Sequence, residues 1–208
     1  SALPHRSRCP DAARGLDAGV LSDWSPSVWQ LTRGQLKGLA GGRDLIAFVA
    51  RHTGGKRIED LPTRFAAVAS DLHRGTSVIL NHGDTALAVR ASSGVPLAFA
   101  PVRAMVAGQW HELIDGAMAQ PVPVAAARAL GADYVVAVDV VYRPEEARVS
   151  NPLDVTFQTL QIVIHSLGVE QVRRADWLIQ PEVHERMIEA GEHRHLIDLG
   201  EAAAAKAL

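Results

Sequence analysis

The sequence predicts an α/β fold with a mostly parallel central sheet, and three observations carry that reading. Gly131-Ala-Asp-Tyr-Val-Val-Ala-Val-Asp139-Val-Val is a near-continuous β-branched run, the pattern of a strand covered on both faces. The helix formers Val124 to Leu130 precede it across a tight loop, and helix, loop and buried strand make half of a βαβ unit. Upstream, Leu113-Ile114 delivers Asp115 onto the small turn Asp115-Gly116-Ala117, and Pro121 and Pro123 then open the alanine-rich run. A carboxylate at a strand end, where glycine lets the backbone turn sharply, is placed either as a working residue or as the stabiliser of its own turn.

In chain order, residues 1 to 30 carry Pro4, Pro10, Pro26, Gly15 and Gly19, which favour irregular structure or short helical turns. Asp44 to Arg51 repeats apolar residues at helical intervals and stops at Gly54-Gly55, so one helix is expected there. Arg64 to Leu72 reads as a buried strand, turned by His73-Arg-Gly75 into the alternating Thr76 to Leu80, a hairpin. Asp84 to Ser93 has an acidic start, good helix formers and a terminator at Gly94 to Pro96. Gly108-Gln109 is a turn before the strand that ends at Asp115. Leu153 to Leu167 is apolar at helical spacing, and Trp177 to Gln180 is a short strand.

The 208 residues suit a single domain, 1–208, with residues 1–40 as an irregular or rearranged N-terminal region and 41–208 as the main body. A formal net charge of -2 argues against a nucleic-acid binder working through bulk positive charge, which needs a clustered surplus of Lys and Arg. One cysteine, Cys9, excludes an internal disulfide framework and fits a reducing compartment. No apolar run approaches a membrane span and the first residues lack a signal-peptide core, so a cytoplasmic chain is expected.

Four stretches resemble the bacterial patatin-like phospholipases, a family of serine lipid acyl hydrolases: Thr53-Gly-Gly-Lys-Arg-Ile-Glu-Asp-Leu-Pro62, Phe65-Ala-Ala-Val-Ala-Ser-Asp71-Leu, Arg90-Ala-Ser-Ser-Gly-Val-Pro96 and Ile114-Asp-Gly-Ala-Met-Ala-Gln-Pro-Val-Pro-Val124. The resemblance implies a three-layer α/β/α sandwich and a Ser-Asp dyad without a triad histidine. The family's serine sits in a G-x-S-x-G elbow, and its aspartate in an Asp-Gly-Gly or Asp-Gly-Ala motif that maps onto Asp115, Gly116 and Ala117. A glycine-rich loop supplies the oxyanion amides. Phospholipids or other carboxylic esters are the implied substrates, transient membrane contact is in keeping with them, and no metal or organic cofactor is implied.

This sequence departs from the family pattern in two places. No G-x-S-x-G occurs in the 208 residues, the nearest look-alike being Gly75-Thr-Ser77-Val-Ile, and the glycine-rich loop is absent. The expectation is a chain that starts just downstream of the nucleophile elbow, lacks the N-terminal part of the fold and is inactive as written. The alternative is a non-catalytic α/β module that keeps the scaffold for binding or self-association. Either way, exposed sheet edges are expected to be covered by residues 1–40 or by a second copy, a homo-oligomer.

Other clusters have plainer readings. His193 and His195 with His184 and Glu185 form the densest metal-like group, but their spacing matches no ligand pattern and a solvated polar segment is expected. Ser92 and Ser93 read as helix-ending or pocket-lining residues, and Asp71 as a turn cap or an arginine partner. Asp139 falls at the carboxyl edge of the sheet. Trp24, Trp29, Leu31 and Leu36 are the candidates for touching acyl chains, with core packing as the alternative.

Overall fold

Strand β1 (Ala67–Asp71) is buried at every position and is the spine of the structure. A computed structural model of the protein describes residues 42–96, 98–141, 143–144, 149–183 and 193–207. The expected irregular region 1–40, with Trp24, Trp29, Leu31 and Leu36, lies outside them, as do His184 and Glu185.

Helix α1 (Arg43–Thr53) leads through a 3₁₀ turn at Ile58–Asp60 into β1. β1 pairs antiparallel with β2 (Ser77–Leu80), the expected hairpin. Helix α2 (Thr85–Ser92) starts where the Asp84 side chain accepts the Leu87 N–H. Strands β3 (Val102–Val106) and β4 (Gln109–Asp115) form a second hairpin across Ala107-Gly108, and β4 pairs with β1. The sheet order is β2-β1-β4-β3. Short hairpin loops can join only antiparallel strands, which accounts for the β1–β2 and β3–β4 pairings; β1 and β4, joined through α2 and β3, are also antiparallel.

Ala88 and Ala91 of α2 pack on Ala67 and Ala69 of β1, together with Ile58, Val78, Leu80 and Leu113. Small side chains on both surfaces let the helix sit close to the sheet. Leu113 is fully buried, which is worth about 2 kcal/mol relative to exposure.

The second part of the fold follows a 3₁₀ turn at Gly116–Met118. Helix α3 (Val124–Ala129), strand β5 (Val136–Val138), the long helix α4 (Pro152–Val172) and strand β6 (Trp177–Ile179) surround a core of Val122, Val124, Val135 and Ala137. Asn151 and Asp154 form a capping box with Pro152 in the first turn, so α4 begins where its sequence dictates. β5 and β6 pair in parallel, the strand arrangement read from the β-branched run. Helix α5 (His193–Ala207) closes the described chain. With helices flanking an antiparallel sheet and a parallel pair, the fold is α/β, but the mostly parallel central sheet expected from the β-branched run is corrected: among the described strands only β5 and β6 pair in parallel, and the four-stranded sheet is antiparallel.

One expectation about β5 is corrected. The run was expected to be covered on both faces, yet Val136, Val138 and Val140 are 47%, 53% and 57% exposed. The ladder holds only three residues of each strand, and only the face carrying Val135, Ala137 and Asp139 meets the core. Strand β3 was not anticipated, although Val102, Ala104 and Val106 alternate inward as a half-buried strand should.

Candidate active site

Asp115 is the last residue of β4 and lies opposite Ala69 of β1. Partners in register share a face, and Ala69 belongs to the core under α2, so the carboxylate sits on the α2 side at the strand tip. Its backbone N–H donates to the Gly94 carbonyl at 3.0 Å, which ties the strand end to the loop after α2. Its side chain caps the following turn, accepting the Ala117 N–H at 2.8 Å. Among the described residues no cation pairs with it. Burial pushes the Asp115 carboxyl above its ordinary range, only partly offset by the Ala117 N–H.

The turn tolerates no side chain at its next position. A β-carbon on Gly116 would lie 2.1 Å from the Val68 carbonyl oxygen. That same carbonyl accepts the Ser92 hydroxyl at 2.7 Å. Gly116's own carbonyl receives the Ala119 and Gln120 N–H groups at 3.1 and 2.8 Å and the Ser70 hydroxyl at 3.4 Å. Farther on, Gln171 of α4 accepts the Val122 N–H and donates to the Ala119 carbonyl, both at 3.1 Å. Asp115 therefore projects from a turn clamped by β1, α2 and α4.

Ser92 ends α2 with its proton given to Val68, and Ser93 is the C-cap, so both take the helix-ending role expected of them. Asp71 does cap a turn and pair with an arginine. Its Oδ1 accepts the His73 and Arg74 N–H groups, and its Oδ2 meets Arg74 Nη1 at 2.7 Å and His111 Nδ1 at 2.6 Å. The Arg74 N–H leads in holding this carboxyl well below the usual range, with the Arg74 and His111 side chains assisting against burial. Asp139 follows β5, buried, accepting from Val141 N–H and Gln180 Nε2 at 3.0 and 2.9 Å. It reaches neither Asp115 nor a nucleophile among the described residues. There, too, no three His, Cys, Asp or Glu side chains gather as metal ligands.

Comparison with known proteins places this geometry. The patatin-like phospholipase family model matches residues 7–128, more than half of the chain, and the match includes the whole Asp115 turn. The chain belongs to the patatin-like phospholipase family. Uncharacterized NTE family proteins of Mycobacterium bovis and Mycobacterium tuberculosis are 36% identical to it over 101 residues, which is 46% of this chain and 24% of those relatives. The chain thus matches only about a quarter of the length of these relatives. The match ends in α3, so β5, α4, β6 and α5 lie beyond the matched residues.

Sequence reasoning singled out Asp115, Gly116 and Ala117 but missed two supporting groups. Gly94 was read as a helix terminator, not as the acceptor of the Asp115 N–H, because that bond joins residues far apart in sequence. Arg90 opens the resembling stretch Arg90–Pro96, which on its own gives it no role. The available signal was a lone cation in the otherwise small and apolar run Thr85–Ser92.

Proposed function

We propose that this chain carries the base of a lipid acyl hydrolase that uses a Ser-Asp dyad, with Asp115 as the base and Gly116-Ala117 as the turn that aims it. The observation carrying the reading is a strand-tip carboxylate that accepts a single hydrogen bond among the described residues and whose proton affinity burial raises. A base must have spare lone pairs and an affinity nearer neutrality than an exposed aspartate's. In the reaction, Asp115 takes the serine hydroxyl proton as its oxygen attacks the ester carbonyl, and returns it to the departing alcohol. Water then repeats the cycle on the acyl-serine, releasing the carboxylic acid. Substrates are phospholipids or other carboxylic esters, met at a lipid surface through transient contact, and no cofactor enters the chemistry.

The 208 residues contain no G-x-S-x-G, so the serine is not assigned to any of them. The test is hydrolysis of a short-chain p-nitrophenyl ester by the 208-residue chain alone and by the chain joined to an N-terminal segment that carries G-x-S-x-G. The expected result is turnover only when G-x-S-x-G is present, lost by about 10³-fold or more in Asp115→Asn. Turnover that survives Asp115→Asn removes Asp115 from the mechanism. No turnover in any form would favour the non-catalytic binding or self-association module.

A further inference from the structure

Arg90, on α2, is 3% exposed, yet among the described residues most of its hydrogens have no acceptor. Nη2 donates to the Ala100 carbonyl at 2.8 Å, and the guanidinium carbon lies 4.5 Å from the centre of the Phe99 ring. Nε and Nη1, three N–H bonds in all, find no partner among the described residues. Buried donors of this kind are rare, and a buried cation normally meets a carboxylate. None among the described residues fills that place.

The neighbour that Arg90 does have makes matters worse for a lone cation. A β-carbon on Gly42 would fall 1.9 Å from Arg90 Nε and 2.3 Å from Cδ, so the guanidinium lies against the N-terminal end of α1. Gly42 is the N-cap, left-handed at φ 66°, and supplies no side-chain cap. The first N–H groups of α1 have no side-chain cap, and the helix end that carries them, with the positive end of its dipole, is the end against which the Arg90 guanidinium packs. Asp44, in the first turn, is exposed and does not bond Arg90. Two positive elements facing each other in a buried place are stable together when an anion sits between them.

We propose that Arg90 and the N-terminal turn of α1 form an oxyanion seat, binding a phosphate- or carboxylate-class group. The seat is linked to Asp115. A β-carbon on Gly94 would lie 3.1 Å from Arg90 Nη1, and the Gly94 carbonyl holds the Asp115 N–H. An occupant there stiffens the loop that fixes the end of β4. The inference stands apart from the acyl-hydrolase reading, since it concerns a different set of groups.

The test is thermal melting of the 208-residue chain with inorganic phosphate, sn-glycerol 3-phosphate or acetate, each against sodium chloride at equal ionic strength. At ten times the dissociation constant, the binding oxyanion raises the melting temperature by about 3–6 °C and saturates. A preference for glycerol 3-phosphate assigns a lipid headgroup as the source, equal effects of the two phosphates a free phosphate, and an effect of acetate alone a carboxylate. Arg90→Met abolishes the rise and Arg90→Lys weakens it. Should the variants not fold, NMR titration of the wild type shifts one arginine Nε–H resonance with the same midpoint. No saturable rise with any of the three anions, or a rise that persists in Arg90→Met, overturns the proposal.

Discussion

Asp71 and Asp115 sit on neighbouring strands, face the same side of one sheet, and are treated oppositely by it. Asp71, at the end of β1, takes two backbone N–H groups, an arginine and a histidine, and its proton affinity is driven down. Asp115, at the end of β4, takes one backbone N–H and no cation among the described residues, and its proton affinity is driven up. In the β1–β4 register Asp71 pairs with Leu113 and Asp115 with Ala69, one Ser70–Ile114 pair lying between them. Burial is common to both; the donors are not. The sheet locks one carboxylate into structure and leaves the other with unspent basicity.

The largest expected effect comes from the turn that creates the difference. Gly116→Ala drives a methyl group to 2.1 Å from the Val68 carbonyl, a backbone atom that cannot swing aside. The expected loss is about 3 kcal/mol or more, read as collapse of the thermal transition or of soluble yield. A variant that melts like wild type would mean the turn is looser than the geometry requires.

Next in size is the holding aspartate. Asp71→Ala leaves two backbone donors, Arg74 and His111 without their acceptor, and His111 is mostly buried. The melting temperature should drop further than in any variant that changes Asp115. Because the folded Asp71 carboxyl titrates below the unfolded one, its stabilisation is complete above the ordinary carboxylate range and is lost as pH falls beneath it. The gap between acid melts of wild type and Asp71→Ala should therefore narrow as pH falls below about 4.

Asp115 should behave with the opposite sign. Its folded carboxyl titrates above the unfolded one, so ionisation costs stability, and the cost appears as pH rises through the ordinary carboxylate range and beyond. Asp115→Asn keeps an acceptor for the Ala117 N–H while removing the charge, and should raise stability near neutrality by about 1 kcal/mol. The gain should vanish in acid. Equal melting of the two proteins at all pH values would dissolve the contrast between the aspartates.

How much of this contrast the sequence revealed follows from the range of each interaction. Asp115 was legible because strand, glycine turn and proline are consecutive, and Asp71 because its cap partners His73 and Arg74 are two and three residues away. His111 and Gly94 were not legible, since each reaches its aspartate only through strand pairing or loop packing. The parallel pairing of β5 was readable from β-branched residues, but their composition says nothing about which face finds a cover, hence the exposed Val136 and Val138. Arg90 escaped notice for a related reason: burial of a cation is a property of the fold, and sequence makes it look like a solvated helix residue.

The smallest effect lies at the far end of the strand that carries both His111 and Asp115. Val106 pairs with Gln109, so the β3–β4 hairpin turns on Ala107 and Gly108 alone, with φ of 49° and 77°. Two left-handed residues suit the right-handed twist of a hairpin, and Asn-Gly fills that turn better than Ala-Gly because asparagine tolerates the conformation. Ala107→Asn should add about 0.5 kcal/mol. The gain should be the same in wild type and in Asp71→Ala or Asp115→Asn backgrounds, since the turn shares no partner with either carboxylate. A gain that depends on Asp71 would mean that the turn sets the β4 register through His111, and that the two ends of the strand are energetically one unit.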